Sequence, residues 1–247
     1  GVQSSSGSTL SRSYAIYPYN RSATITSDGV ISSELAVEQS YVENSVSRGA
    51  NMMAAVTSSK KDRHLSFKNL CSYVCVELYG KGVLLKNIKL ISNGGEKIAG
   101  ALTLSPSNGM FVATAAQSAV DMITLNLGGG VLLSESAAEA TKFYIATLPT
   151  TLATGFTITA VDNGGESFTI NVDSKVELER SALYKVAATE VKLVATEIKG
   201  LTAPKSVALP AQSKDCQTIT VGSSSEDITL STTEPWFGIV ESDKNVQ

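Results

Sequence analysis

Hydrophobic and polar residues alternate with a period of two along most of the chain, and helical spacing is nearly absent. This alternation is the pattern of β-strands that bury one face. In the longest run, residues 65–79, one face carries Val74, Val76 and Leu78 and the other carries Cys71, Tyr73, Cys75 and Tyr79. Because both faces are apolar, we expect this run to form a central strand of a β-sandwich.

Two turn motifs of similar sequence, Asn93-Gly94-Gly95 and Asp162-Asn163-Gly164-Gly165, each predict a β-hairpin. Asn-Gly pairs supply the positive φ angles that a tight hairpin turn requires. The first turn would join strands at residues 83–91 and 97–104, and the second would join strands at residues 156–160 and 168–172. The two motifs lie too far apart for a solenoid repeat, so we interpret them as shared turn chemistry.

The rest of the chain adds short strands and one long loop. Residues 32–47 have loose helical spacing at Leu35, Tyr41 and Val42, which predicts an ordered loop with one helical turn. Further strands are predicted at residues 14–19, 110–113, 122–127, 143–148, 176–178, 183–186 and 191–194. Many short strands with Gly and Asn between them indicate an all-β protein built as a β-sandwich.

A domain boundary is predicted where two prolines and a glycine interrupt the pattern, at residues 199–210. We therefore expect one sandwich domain over residues 1–198. Residues 199–247 would be the start of a second β domain of immunoglobulin-like type, or a tail packed on the first domain. Two short strands are predicted there, at residues 217–221 and 227–230, with residues 222–225 connecting them.

Composition and charge exclude several classes of function. The net charge is −3, which gives no electrostatic basis for gripping a phosphate backbone, so we expect no nucleic-acid partner. One histidine and three cysteines in 247 residues are too few for zinc knuckles or a histidine-pair site. No stretch reaches the length of a membrane helix, and no signal peptide opens the chain. We expect a mature chain whose targeting segment has been removed.

Two of the cysteines, Cys71 and Cys75, lie in the same predicted strand. On a strand their Cα atoms would be about 13 Å apart, which is beyond disulfide reach. We interpret both as small residues of the core. A Cys75–Cys216 disulfide is the remaining alternative, and nothing in the sequence supports it.

Candidate catalytic groups are few, and each has a simpler explanation. His64 lies in the charged stretch 60–64, which indicates a solvated loop, and no Gly-x-Ser-x-Gly elbow accompanies it. Gly128-Gly129-Gly130 predicts a flexible hairpin end rather than a phosphate cradle, since no helix follows. Glu177 and Glu179 share a strand face and could mimic a glycosidase pair, but with Arg180 beside them an exposed edge is the ordinary explanation. We therefore expect no enzyme activity, no cofactor and no metal.

The only tryptophan, Trp236, supports a different hypothesis. An exposed indole face can stack on a sugar ring, so Trp236 is a candidate for glycan stacking. The alternative is a tryptophan buried between two sheets, which is the commoner location for large aromatic residues.

Several segments together resemble the fimbrillin-like proteins of Bacteroidetes, in the same order along the chain. The matching segments, which fall within residues 13–190, are Tyr14-Ala15-Ile16-Tyr17-Pro18-Tyr19, Asn51-Met52-Met53-Ala54 (without the usual proline), residues 65–71 (LSFKNLC), residues 88–100 (IKLISNGGEKIAG), Leu148-Pro149, Gly155-Phe156-Thr157-Ile158 and residues 176–181 (VELERS). The tail containing Trp236 weakly resembles the opening half of a BACON-type immunoglobulin-like module.

The resemblance implies a Greek-key β-sandwich of transthyretin-like character and a structural role as a fimbrial or pilus subunit or tip adhesin. Such subunits assemble by strand complementation, in which a neighbour's strand completes an open sheet. The implied partners are other fimbrial subunits, with host or bacterial surface glycans or proteins as further candidates. The implied location is the cell surface or the extracellular side of the outer membrane, with membrane contact only through a lipid anchor that is removed or absent from this mature chain. Arg12, ahead of the first matching strand, is a candidate processing site. The alternative function is a non-catalytic carbohydrate-binding surface module.

Overall fold

The structure is a computed structural model that describes residues 12–192 and the backbone of two short segments at 201–202 and 222–223. Residues 12–192 form seventeen strands and one 3₁₀ turn at Ala137–Glu139. The chain divides into two compact units, residues 1–194 and residues 195–247. The described part of the chain is therefore all-β, as the alternating pattern predicts.

The strands of the first unit are short, and most of them contain two to nine residues. Their bounds are β1 Tyr14–Tyr17, β2 Thr24–Ile25, β3 Ile31–Leu35, β4 Glu38–Ser40, β5 Met53–Val56, β6 Lys68–Asn69, β7 Ser72–Tyr79, β8 Leu84–Ser92, β9 Gly100–Ser107, β10 Met110–Ala115, β11 Met122–Leu132, β12 Thr141–Thr147, β13 Thr150–Leu152, β14 Phe156–Asp162, β15 Ser167–Val172, β16 Val176–Leu178 and β17 Leu183–Glu190.

The two sheets that contain β7 and β14 face each other in a sandwich. A five-stranded sheet has the order β15-β14-β8-β11-β4, and a three-stranded sheet has the order β12-β7-β17. β7 is the middle strand of the smaller sheet, and its side chains Val74, Val76 and Leu78 are fully buried. The prediction of a central strand with two apolar faces is confirmed, because Cys75 on the other face is buried as well.

The remaining strands extend the same hydrophobic core. A four-stranded sheet has the order β10-β9-β3-β2, a three-stranded sheet has the order β1-β5-β6, and β13 pairs with β16. One continuous cluster of buried side chains draws on these sheets, with Ile16 from β1, Leu35 from β3 and Leu104 from β9 among its members. Burying one shared core is what holds such short strands in place.

The hairpin predicted from the second turn motif is confirmed. β14 and β15 pair antiparallel, from Phe156 opposite Val172 to Val161 opposite Ser167. Gly165 in the turn has a φ of 85°, a conformation that glycine adopts without steric cost.

The hairpin predicted from the first turn motif is wrong. β8 pairs with β11 and β14, whereas β9 pairs with β3 and β10 in a different sheet. Residues 93–95 do form a turn, in which Gly95 has a φ of 76°. The turn packs on the loop before β14, with the Asn93 amide donating to the Gly155 carbonyl at 3.1 Å. The same turn chemistry therefore carries the chain from one sheet to another.

The long loop predicted at residues 32–47 is also wrong. Residues 32–35 belong to strand β3, which pairs with β9, and residues 38–40 form β4, which pairs parallel with β11. Ile31 and Leu35, at the ends of β3, are buried in the core. Because Ser32 and Ser33 stand between them, the segment has too few apolar residues to show a strand pattern.

The sequence predicted that Gly128-Gly129-Gly130 would form the end of a hairpin, and this prediction is wrong. β11 runs through all three glycines, and its register with β8 shifts between Asn126 and Val131. The glycines therefore form a bulge inside one long strand, where Gly128 and Gly130 have φ angles of 61° and 107°.

The strand predicted at residues 183–186 extends to Glu190, and the one predicted at 191–194 is not seen at Val191 and Lys192. In the second unit Leu201–Thr202 pairs antiparallel with Gly222–Ser223. Residues 222–225 were predicted to connect two strands, but Gly222–Ser223 is itself a strand. Residues 193–194, the strands predicted at 217–221 and 227–230, and Cys216 lie outside the described residues.

Candidate functional site

Two aromatic contacts show how the facing sheets of the sandwich are aligned. Tyr184 of β17 meets Phe156 of β14 edge to face, with ring centroids 5.6 Å apart. At the other side, Tyr41, just after β4, lies 5.4 Å from Phe143 of β12. β17 therefore lies over β14, and β12 lies beside β4.

The side of the sandwich where β4 meets β12 is closed by one glutamine, and we call it the closed side. The Gln39 amide nitrogen donates to the Ala146 carbonyl at 2.7 Å, and the Ala146 N–H donates to the Gln39 amide oxygen at 3.0 Å. Gln39 is only 2% exposed. The Gln39 side chain thus makes the two main-chain hydrogen bonds to Ala146 that a neighbouring strand would otherwise make.

The opposite side, where β15 and β17 are the last strands of their sheets, has no such closure among the described residues, and we call it the open side. Phe168, Ile170 and Val172 of β15 are half-buried, although their partners in β14 are fully buried. Tyr184 of β17 packs on β14, and β15 lies one strand further out, at the edge of its sheet.

The outer edge of β17 completes the open side. β17 pairs with β7 alone within residues 12–192, which leaves its other edge without a strand partner there. Tyr184 and Ala188 are half-buried, and Leu183 at the start of the strand is 43% exposed. One further strand along β17 would gain main-chain hydrogen bonds and would cover the apolar face of β15.

Neither the open side nor the closed side was identified from the sequence. The alternation of Phe168, Ile170 and Val172 with polar residues predicts a strand with an inward face, but not that the facing sheet is one strand too narrow. Gln39 carried no local signal, because its partner Ala146 lies 107 residues away.

The candidate processing residue Arg12 is exposed, one residue ahead of a well-anchored main chain. The Ser13 amide donates to the Thr57 hydroxyl at 2.8 Å, and the Thr57 amide donates to the Ser13 carbonyl at 2.9 Å. Trp236, the candidate for glycan stacking, lies outside the described residues.

The titratable residues considered for chemistry are not brought together. His64 is exposed, with its ring nitrogen 3.3 Å from Asp62. Glu177 bonds Lys175 at 2.6 Å, and this contact lowers the pKa of the carboxyl group. Cys71 and Cys75 are buried free thiols, and burial raises the pKa of Cys71 to about 11, so this thiol stays protonated at neutral pH.

Two features are absent from the described residues. No group of three or more His, Cys, Asp or Glu side chains is arranged to hold a metal ion there. That part of the chain also contains no helix long and apolar enough to cross a membrane.

The sequence profile of the fimbrillin-like family matches residues 8–236. This chain belongs to the fimbrillin-like family. The resemblance indicated by the sequence motifs is thus confirmed, and the match covers most of the fimbrillin-like chain. No curated protein matches it significantly.

Three solved structures from Bacteroides match part of the chain. One is a proposed cell adhesion protein of Bacteroides uniformis, with 17% identity, a TM-score of 0.45, and coverage of 72% of the fimbrillin-like chain and 66% of the other chain. A proposed cell adhesion protein of Bacteroides ovatus has 15% identity, a TM-score of 0.43, and coverage of 72% and 62%. A fimbrial protein of Bacteroides ovatus has 12% identity, a TM-score of 0.32, and coverage of 72% and 35%. The fimbrillin-like chain spans no more than about two thirds of any of these proteins.

Proposed function

We propose that this chain is a non-catalytic structural subunit of a cell-surface fimbria, or an adhesin carried at its tip. Membership of the fimbrillin-like family supports this role. The proposal includes a location on the extracellular side of the outer membrane, as a lipoprotein, and other fimbrial subunits as partners.

We propose further that the subunits assemble by strand complementation and that the open side accepts the incoming strand. The observation that carries this proposal is the half-exposure of Phe168, Ile170 and Val172 beside fully buried partners in β14. A strand from another subunit, paired with the outer edge of β17, would bury these side chains. Apolar burial of this kind contributes about 25 cal/mol per Å² removed from water.

The substitution Ile170→Asp tests the open side directly. A carboxylate under an added strand would lose its hydration without a partner, so we expect assembly to fall at least about tenfold. Assembly is measured as the SDS-resistant ladder on gels of non-boiled surface material.

The matched control for this test is Thr169→Asp, one residue away on the exposed face of β15. The control adds the same charge to the same strand and should assemble normally. Normal ladders from both variants would exclude the open side as the acceptor. Loss of the ladder from both variants would point to a general effect of charge on β15.

Processing after Arg12 is a second part of the proposal. We expect Arg12→Gln to abolish a mature form that begins at Ser13, and Arg21→Gln, in the exposed turn after β1, to leave that form unchanged. N-terminal sequencing of surface protein gives the result. A chain still found to begin at Ser13 in the Arg12→Gln variant would rule out cleavage by a basic-specific protease at this bond.

A further inference from the structure

A long exposed loop joins β5 to β6, far along the chain from the open side. All residues from Ser58 to Phe67 are exposed except Asp62, which is half-buried. We call residues 58–67 the basic loop, because it carries Lys60, Lys61, Arg63 and His64. Such a concentration of cations stands out in a chain whose net charge is −3.

A single carboxylate holds the basic loop in shape. Asp62 accepts bonds from the Ser58 amide at 3.0 Å, the Ser58 hydroxyl at 2.7 Å and the His64 amide at 2.9 Å. These bonds, with that from His64 the largest cause, hold the pKa of Asp62 far below its usual range. The loop is thus closed at Asp62, and its cations project from a defined turn.

Apart from His64, whose ring contacts Asp62, the cations of the basic loop form no ion pair with the described residues. No ion pair joins Lys60, Lys61 or Arg63 to a described residue. Lys68, at the start of β6, is exposed and also forms no ion pair with a described residue. The Ser13–Thr57 bonds bring Arg12 alongside the start of the loop, which adds one further cation before any trimming.

Two large apolar side chains follow the cations directly. Leu65 is 43% exposed and Phe67 is 41% exposed. They alternate with Ser66 and Lys68 as the chain runs into β6. A soluble polyanion would use the cations alone, whereas the boundary between lipid headgroups and acyl chains also accepts leucine and phenylalanine. The combination therefore favours a lipid surface over an acidic polymer.

We propose that the basic loop docks the protein on an anionic lipid surface, with Lys60, Lys61 and Arg63 against the headgroups and Leu65 and Phe67 inserted between them. This contact is separate from strand complementation and from any covalent lipid anchor. It does not depend on Arg12, so it is retained by a chain that begins at Ser13.

Co-sedimentation of the full chain with phospholipid vesicles tests the proposal. We expect binding to phosphatidylcholine vesicles that contain phosphatidylglycerol, little binding to pure phosphatidylcholine, and loss of binding at high salt. The triple variant Lys60→Ser, Lys61→Ser and Arg63→Ser should bind about a hundredfold more weakly, since each cation near an anionic surface contributes about a factor of five. The matched control removes three exposed lysines elsewhere, Lys81, Lys97 and Lys142, and should bind as wild type.

A second variant separates lipid from a soluble polyanion. Leu65→Ser with Phe67→Ser should weaken vesicle binding several-fold and leave retention on dextran sulfate unchanged. The proposal is overturned if the triple variant binds vesicles like wild type. It is also overturned if the variant Leu65→Ser with Phe67→Ser binds vesicles like wild type, because the loop would then recognise negative charge alone. Both sets of changes lie on exposed residues, and circular dichroism of each variant confirms that it is folded.

Discussion

The substitution Gly155→Ala is expected to cost about 4 kcal/mol or more of unfolding free energy, and it has the largest effect on stability that we predict. Gly155 precedes β14 and has a φ of 74°, a left-handed conformation that alanine adopts only with strain. A Cβ atom there would lie on top of the Val172 carbonyl oxygen and 2.8 Å from the Ser174 carbonyl oxygen. Both obstacles are backbone atoms at the end of β15, so relief requires β15 to move away from β14.

Gly165→Ala is the matched control for Gly155→Ala. Gly165 lies in the turn of the same hairpin with a φ of 85°, but no heavy atom lies within 4 Å of its added Cβ. Only the backbone strain of about 1–2 kcal/mol remains. Equilibrium unfolding in urea measures both variants, and two losses of similar size would show that the crowding at Gly155 is not significant.

Removal of the Gln39 amide is expected to destabilise the first unit by about 2–5 kcal/mol, because it leaves the buried N–H and C=O of Ala146 without partners. Gln39→Met is the better variant, since methionine fills a similar volume and cannot form either bond. The same side chain also donates to the Ala36 carbonyl at 3.2 Å, so the start of β4 would loosen too. The midpoint of urea unfolding measures the effect, provided that the dependence of the unfolding free energy on urea concentration is the same in both proteins.

The neighbouring change Glu38→Ala provides the comparison for Gln39→Met. Glu38 is exposed on the same short strand, and its loss should alter stability by no more than about 0.5 kcal/mol. If Gln39→Met were as stable as Glu38→Ala, the bonds to Ala146 would contribute nothing to closing the sandwich.

Local pattern predicted the fold class and most strands, but not which strands become neighbours. The β14–β15 hairpin was predictable because both strands alternate clearly and a short glycine turn joins them. The Asn93 turn has nearly the same residues, yet β8 already pairs with β11 and β14, so no edge of β8 is available to β9. Pairing partners separated in sequence decide such cases, and turn chemistry does not report them.

The candidate site was harder to predict than the fold, for a related reason. The open side exists because a five-stranded sheet faces a three-stranded sheet, and the number of strands in each sheet depends on the whole topology. The resemblance to the fimbrillin-like family implied assembly through an open edge, which stays a prediction. The resemblance did not identify β15 and β17, since the residues there differ little from those of an ordinary half-buried strand.

The inequality between the closed side and the open side bears on the symmetry of any assembly. If β17 of one copy paired with β17 of another, the contact would be twofold and self-complementary, and growth would stop at a dimer. If a strand from a different surface of the next copy filled the open side, each added copy would bring its own unoccupied open side. The assembly would then grow as an open-ended filament. A distribution of lengths, as opposed to a single dimeric species, therefore distinguishes these two geometries.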